Sequence, residues 1–157
     1  MTEKNEQSAL ILLGCPQVPV QTSMALYLLH GLRQHGIRPV IAGTVAARKL
    51  IEVADPGRHY LEEMTDLDDA IDAIAGKQRD FDLCFVFIHN DSGIAYAGTM
   101  AYISRARLYT LLFGEHADDL VGEIEFPCQV VAAKAVHNPM PLKRKLDEVM
   151  QWAVSKR

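Results

Sequence analysis

Residues with reactive or ligand-binding side chains stand at the ends of three apolar runs of this sequence. These residues are Cys15, His89, Asn90, Asp91, His137 and Asn138. A cysteine thiolate acts as a nucleophile, an imidazole acts as a general base, and amide and carboxylate groups hydrogen-bond polar ligands. These residue types predict a ligand site or a cysteine-dependent reaction, provided that the fold brings the three runs together.

Cys15 lies in the stretch LGCPQVPVQ, which supports two interpretations. A small residue suits the tight bend before Pro16, and a thiol at the end of a strand suits contact with a ligand. A reactive thiolate needs a pKa lowered by a helix N-terminus, a cation or a metal ion. The next helical pattern begins about seven residues later, so we expect its dipole to help little. A histidine from another loop would then have to lower the pKa of the thiol.

The other polar residues also have structural explanations. Asn90 and Asp91 are typical of turns and helix entries, and His-Asn-Pro at residues 137–139 is typical of a loop before a helix. The acidic stretch over residues 62–72 suits a solvated first helical turn. A transition-metal site formed by Cys15 and His137 is a further, weaker hypothesis, because it lacks any diagnostic ligand spacing, and no metal ligands are assigned.

Six apolar runs predict six strands, and helical patterns follow each of them. Continuous apolar runs are typical of strands buried on both faces of a parallel sheet. The predicted strands cover residues 8–14, 37–43, 58–64, 81–89, 106–114 and 128–135. The residues expected to cap helices are Thr22 or Ser23, Thr44, Thr65 and Ser92.

This alternation predicts an α/β fold with three α/β/α layers and a doubly wound, mostly parallel sheet of six strands. Right-handed crossovers leave few strand orders. We favour the Rossmann-like order 3-2-1-4-5-6 and keep a flavodoxin-like order as the alternative. Ligands of such sheets bind beyond the carboxyl ends of the strands, where the strand order reverses.

The reversal lies between the first and fourth strands, so the loops that follow them form the predicted crevice. Loops after the second and sixth strands extend its rim. The predicted ligand-binding residues are Gly14, Cys15, Pro16, Gly43, Thr44, His89, Asn90, Asp91, Ser92, His137 and Asn138. The first hypothesis is therefore a protein that binds an unknown small molecule or cofactor in this crevice.

The second hypothesis is a cysteine-dependent transferase or a sulfur or acyl carrier enzyme. Cys15 would be its nucleophile and His137 its general base. These two residues are the candidates for catalysis, and the residues alone leave open whether the protein is an enzyme.

The third hypothesis is an oligomeric scaffold or accessory subunit without a small-molecule site. The helix predicted over residues 94–103 is apolar nearly all round, so it must be buried within one subunit or between subunits. A homo-oligomer is therefore expected, with a dimer favoured.

Bulk properties limit the class of protein. A chain of 157 residues fits one domain, residues 1–157, of which 1–7 form a flexible leader. The net charge of −4 disfavours a general nucleic-acid binder. No apolar run approaches the roughly 18 residues that a membrane span needs, and the polar N-terminus resembles no signal peptide, so a cytoplasmic protein is predicted. The cofactor is unknown, because neither a dinucleotide fingerprint nor a P-loop occurs.

Four stretches together resemble a known family. They are LGCPQVPVQ, VADPGRHYLEEMTDLDD, Asn90-Asp91 before an Ala/Tyr-rich helix, and HNPMPL. The family is the domain of unknown function 1890 of methanogenic archaea, and the resemblance runs over essentially the whole chain. It implies a three-layer α/β/α fold, an archaeal cytoplasm and a role in methanogen physiology, and it implies no activity. In a relative of that family, proline stands at the position of His89. The resemblance therefore favours the other polar residues, which are Cys15, Asn90, Asp91, His137 and Asn138.

Overall fold

A computed structural model describes residues 6–155, in which six strands alternate with six helices. The strands are β1 (Ser8–Leu13), β2 (Arg38–Gly43), β3 (Glu63–Asp66), β4 (Leu83–Ile88), β5 (Arg107–Leu112) and β6 (Gln129–Ala132). The helices are α1 (Val20–Gln34), α2 (Val45–Ala54), α3 (Leu67–Ala75), α4 (Asp91–Ile103), α5 (Ala117–Val121) and α6 (Met140–Ser155). Most of the predicted leader, residues 1–5, lies outside the described residues.

All neighbouring strands pair in parallel, and the strand order is β3-β2-β1-β4-β5-β6. The predicted doubly wound order is therefore confirmed. β1 lies at the centre, with Leu10 opposite Val40 on one side and Cys84 on the other. The chain moves outward from β1 in both directions, so the loops after β1 and β4 diverge at the point where ligands bind in such sheets.

The two faces of the sheet are buried under different helices. Because side chains alternate along a strand, Leu13 and Phe87 join the core beneath α1, α2 and α6. Leu12 and Ile88 join the core beneath α3, α4 and α5. Burial on both faces explains why the central strands read as continuous apolar runs.

Helix α4 packs on the sheet through one side only. Gly93, Ala97 and Met100 are its buried residues, whereas Tyr102 is 92% exposed. A Cβ atom at Gly93 would lie 2.9 Å from the Cα atom of Ile88, so this helix approaches β4 more closely than any larger residue allows. Of the two predicted alternatives, burial within one subunit is therefore only partly realised.

The third strand was predicted over residues 58–64 and instead forms at Glu63–Asp66. The preceding residues form a loop because the buried carboxylate of Asp55 accepts hydrogen bonds from the backbone N–H groups of residues 59–61. The helix that follows is capped by Asp66 and not by Thr65, since the Asp66 carboxylate accepts the N–H groups of residues 68 and 69.

The other helix boundaries differ less from prediction. α5 ends at Val121, and Gly122 occupies its C-cap position. None of the described helices combines the length and apolarity that a membrane span requires.

Candidate functional site

The first helix begins earlier than its sequence pattern predicts. Pro19 occupies the N-cap position, so neither Thr22 nor Ser23 is the cap. The N–H group of Val20 donates to the carbonyl oxygen of Val136, at 3.2 Å. The loop after β6 is thereby joined to the start of α1, which brings His137 toward the loop that carries Cys15.

Gln21, in the first turn of α1, directs its amide to the carboxyl end of β1. Its Nε2 donates to the carbonyl oxygen of Gly14 at 3.0 Å. Because the Gly14 carbonyl can only accept, the Gln21 side chain must direct its NH2 group toward it. Oε1 then points away from Gly14. The residue is 1% exposed, and Oε1 is buried with no hydrogen-bond partner.

His89 stands at the matching position after β4. Its ring packs against Phe113 with 5.3 Å between centroids, and its Nε2 atom is buried without a hydrogen-bond partner. Burial lowers the pKa of His89 below its usual value, so the imidazole is neutral at neutral pH. A neutral ring carries one N–H donor and one bare nitrogen acceptor.

The strand register and the packing of α1 place the side chains of Gln21 and His89 on the same face of the sheet, at the ends of β1 and β4. Leu12 lies opposite Val86, so the ends of β1 and β4 are level, and neighbouring strands are about 4.8 Å apart. His89 follows Phe87 by two residues and therefore points to the face covered by α1, where Gln21 lies. The two unpaired atoms do not hydrogen-bond each other. Gln21 Oε1 needs an N–H or O–H donor, whereas a nitrogen of the neutral His89 ring either donates or accepts.

Two glycines keep the surroundings open. A Cβ atom at Gly14 would meet no atom within 4 Å, so free space adjoins the end of β1. Gly114, at φ +93°, lets the chain turn away after β5. A Cβ there would lie 3.7 Å from Val18 and 3.8 Å from the Cβ of His89, so both side chains adjoin Gly114.

The Asn90 and Asp91 pair, predicted to face Cys15, serves the other face of the sheet. Asn90 caps α4, because its Oδ1 accepts the N–H group of Gly93 at 3.2 Å, and the predicted cap Ser92 lies inside the helix. Asp91 is exposed, and its hydrogen bond raises the pKa of Glu123 above the usual value. The turn-and-cap explanation of these residues therefore accounts for Asn90.

The remaining predicted residues lie in the loops after β1, β2 and β6 or, for Gly43, at the end of β2. The Cys15 thiol and His137 are exposed, and neither side chain makes a hydrogen bond or ion pair within residues 6–155. Asn138 Oδ1 accepts the N–H group of Met140, and Thr44 Oγ1 caps α2. The other residues of the set are Gly43, whose carbonyl accepts from Arg48, and Pro16, which is half-buried.

The other two cysteines have structural positions. Burial raises the pKa values of Cys84 and of the partly buried Cys128, which keeps both thiols protonated. Across residues 6–155, no group of three or more His, Cys, Asp and Glu side chains is arranged to hold a metal ion.

Comparison with known proteins identifies the family. Residues 10–149 match the family described as Domain of unknown function (DUF1890). The chain belongs to this family. The resemblance inferred from the sequence stretches is thereby confirmed.

Two similar proteins extend this relationship. The DUF1890 chain is 33% identical over 147 residues to the uncharacterised protein MJ0452 of the methanogen Methanocaldococcus jannaschii, covering 91% of the chain and 97% of that protein. It is 36% identical to the solved structure of MT0777, with a TM-score of 0.85, covering 92% of this chain and 97% of that one. The predicted α/β fold is confirmed by this likeness. Neither name states an activity, so a function must be argued from the side chains at the carboxyl edge.

Gln21 is a candidate site residue that the sequence patterns did not single out. It shares an apolar stripe with Met24, Ala25 and Leu28, and a polar residue at such a position is the signal that indicates a buried polar group. The target of its amide depends on the fold and is not visible in the sequence.

Proposed function

We propose that this protein binds a small, uncharged polar molecule at the carboxyl ends of β1 and β4, beneath the β1–α1 loop. The proposal is carried by one observation: Gln21 Oε1 and His89 Nε2 are both buried without partners on the same face of the sheet. Folded proteins pair the large majority of their buried polar atoms, so each exception calls for a missing partner. A ligand held between them supplies that partner.

The chemistry of the two atoms limits the ligand. Gln21 Oε1 only accepts, so the ligand must offer an N–H or O–H group to it. The neutral His89 either donates or accepts, which suits a carboxamide, a hydroxyl or the edge of a heteroaromatic ring. An anion is disfavoured, because the segments 14–19, 89–90 and 113–114 contain no Lys or Arg, and Pro16 and Pro19 lack N–H groups.

The exposed residues then surround the entrance. Cys15 and His137 lie on the rim, where they contact the outer part of the molecule, and the open space beside Gly14 gives it room. No contact favours the cysteine-dependent enzyme over a binding protein, since the thiol has no hydrogen-bonded base within residues 6–155. The cytoplasmic location and the role in methanogen physiology stay predictions.

Native mass spectrometry of gently purified protein tests the proposal. We expect a retained adduct in the wild type and in Gln34→Leu, an exposed position of the same helix, and its loss in Gln21→Leu. As a second readout, the ring nitrogen signals of His89 are followed by ¹⁵N NMR with acetamide, acetate and inorganic phosphate as probes. We expect a shift with acetamide only.

Two results would contradict the proposal. One is a protein that retains no adduct and shows His89 signals indifferent to all three probes. The other is a crystal structure in which a single water molecule joins Gln21 to His89 and fills the space completely.

A further inference from the structure

The two edges of the sheet differ in how they are protected. At the β3 edge, the Glu63 carboxylate lies between Arg79 at 2.6 Å and Arg38 at 3.3 Å. Charged side chains on an edge strand hinder pairing with another chain. At the opposite edge, β6 reads QVVA and carries no charge and no proline. One edge is therefore blocked, and the other presents the composition of a strand that accepts a partner.

The backbone of β6 alternates between β5 and open space. The N–H group of Ala133 donates to Leu112 at 3.0 Å, and the carbonyl oxygen of Gln129 accepts from Thr110 Oγ1 at 3.3 Å. The backbone N–H and C=O groups of the odd-numbered residues of β6 therefore point toward β5. The N–H and C=O groups of Val130 and Ala132 must point outward, because successive residues of a strand face opposite neighbours.

A groove gives access to this edge. It has a volume of about 450 Å³ and lies along β6 between α5 and α6. Val130, which is 44% exposed, and Val131 line it from β6. Lys145 and Glu148 line it from α6, and Asp118 lines it from α5.

We propose that a second copy of this chain pairs with β6 in antiparallel fashion, joining the two sheets into one. An antiparallel ladder brings residues together in doubly bonded pairs. A two-fold axis at Val131 sets Val130 opposite Ala132 of the second copy, and Ala132 opposite Val130 of the second copy. These are the residues whose backbone groups point outward, so the pairing forms about four hydrogen bonds.

Charge supports a second copy as the partner. A two-fold axis normal to the sheet leaves the same face of both copies on the same side of the joined sheet. Helix α6 therefore lies antiparallel to α6 of the second copy. Lys145 and Glu148 are one helical turn apart, and neither forms an ion pair within residues 6–155. Because both residues line the groove beside Val131, we expect Lys145 of each copy to lie beside Glu148 of the other. This interface lies on β6 and not on α4, the helix whose composition predicts an oligomer, and it is independent of the proposed ligand site.

Sedimentation equilibrium of the full chain at micromolar concentration tests the interface. We expect a dimer for the wild type and a dimer weakened at least about tenfold for Val130→Pro, which removes only an outward N–H group. Val53→Lys, an exposed position on α2, is the matched control and should leave the dimer intact. Circular dichroism checks that each variant is folded.

If Val130→Pro fails to fold, exchanging the charges of Lys145 and Glu148 tests the interface instead. Lys145→Glu and Glu148→Lys should each weaken the dimer, and the double variant should restore it. A monomeric wild type overturns the proposal, as does a dimer that survives a folded Val130→Pro. Dissociation by Val53→Lys, or a double variant without rescue, likewise overturns it. None of these results bears on adduct retention, so the ligand site is judged separately.

Discussion

Two buried polar side chains of this protein differ in whether all of their polar atoms have hydrogen-bond partners. Asp55, which is 4% exposed, accepts backbone N–H groups from His59, Tyr60 and Leu61 at 2.8 to 3.0 Å. Gln21 is more deeply buried, yet only one end of its amide has a partner. The buried hydroxyl of Thr110 is also bonded, to the carbonyl oxygen of Gln129. The fold thus satisfies the buried polar groups that shape it and leaves Gln21 incomplete, as expected of a group kept for a ligand.

The largest effect is expected at Asp55. Asp55→Ala removes the acceptor of three backbone N–H groups that lie under the loop before β3. Hydrogen bonds to a charged group are worth about 1.5–3 kcal/mol each, and lost donors regain water in part, so we expect a loss of about 3 kcal/mol. Urea denaturation measures it, and the exposed Asp118→Ala serves as control. A loss below about 1 kcal/mol would mean that Asp55 is no more structural than Gln21.

The second effect concerns α4, on the other face of the same strand end. In Gly93→Ala the new Cβ would lie 2.9 Å from the Cα atom of Ile88, and backbone cannot yield as a flexible side chain does. We expect a loss of about 2 kcal/mol, typical of overpacking.

Gly98→Ala in the same helix is the matched control for Gly93→Ala. Its Cβ would lie 3.5 Å from the ring of Phe126, an ordinary contact, and alanine favours helix by about 1 kcal/mol over glycine. Thermal unfolding should therefore show a lower Tm for Gly93→Ala and an unchanged or higher Tm for Gly98→Ala. Equal losses would contradict the close approach of α4 to β4.

The third, smaller effect is the loss at low pH of the stabilisation that the hydrogen-bonded Asp55 carboxylate contributes. Burial raises the pKa of Asp55, but the N–H groups of Leu61, Tyr60 and His59 lower it by more, so the pKa lies below its usual value. The folded state then binds fewer protons than the unfolded state. Its stabilisation is complete above the unfolded pKa, about 3.9, and is lost as pH falls through the folded pKa.

The Asp55→Asn variant isolates this contribution. We expect the difference in free energy of unfolding between wild type and Asp55→Asn to shrink as the pH is lowered below about 4. Urea denaturation at a series of pH values measures the difference. A difference that stays constant down to the acid limit of folding would show that the Asp55 carboxylate titrates normally.

The strand order was predictable because it follows from local patterns and one chiral rule. Alternating apolar runs and helices imply parallel crossovers, and right-handed crossovers exclude most orders. Boundaries set by distant partners were not predictable. Pro19 starts α1, where the Val20 N–H group donates to Val136. Residues 58–62 leave the sheet because the Asp55 carboxylate accepts the N–H groups of residues 59–61.

The position of the strand-order reversal was predictable, and the sheet face that each nearby side chain occupies was less so. The loops after β1 and β4 follow neighbouring strands, but they lead to helices on opposite faces of the sheet. Alternation after Ile88 turns His89 toward α1, while Asn90 caps α4. A sequence shows which residues end a strand. Whether a position is odd or even along the strand decides which face of the sheet its side chain points to.

The smallest effect on stability is expected where we propose the largest effect on function. Gln21→Leu loses the bond to Gly14, but it also removes an unpaired buried oxygen, so the free energy of unfolding should change by less than about 1 kcal/mol. Urea denaturation of ligand-free protein measures this, with Gln34→Leu as control. In protein that retains its adduct, the wild type should be more stable than Gln21→Leu, because a ligand stabilises only the state that binds it. A large loss of unfolding free energy in ligand-free protein would instead show that Gln21 is a structural residue like Asp55. Its unpaired Oε1 would then no longer support a ligand contact.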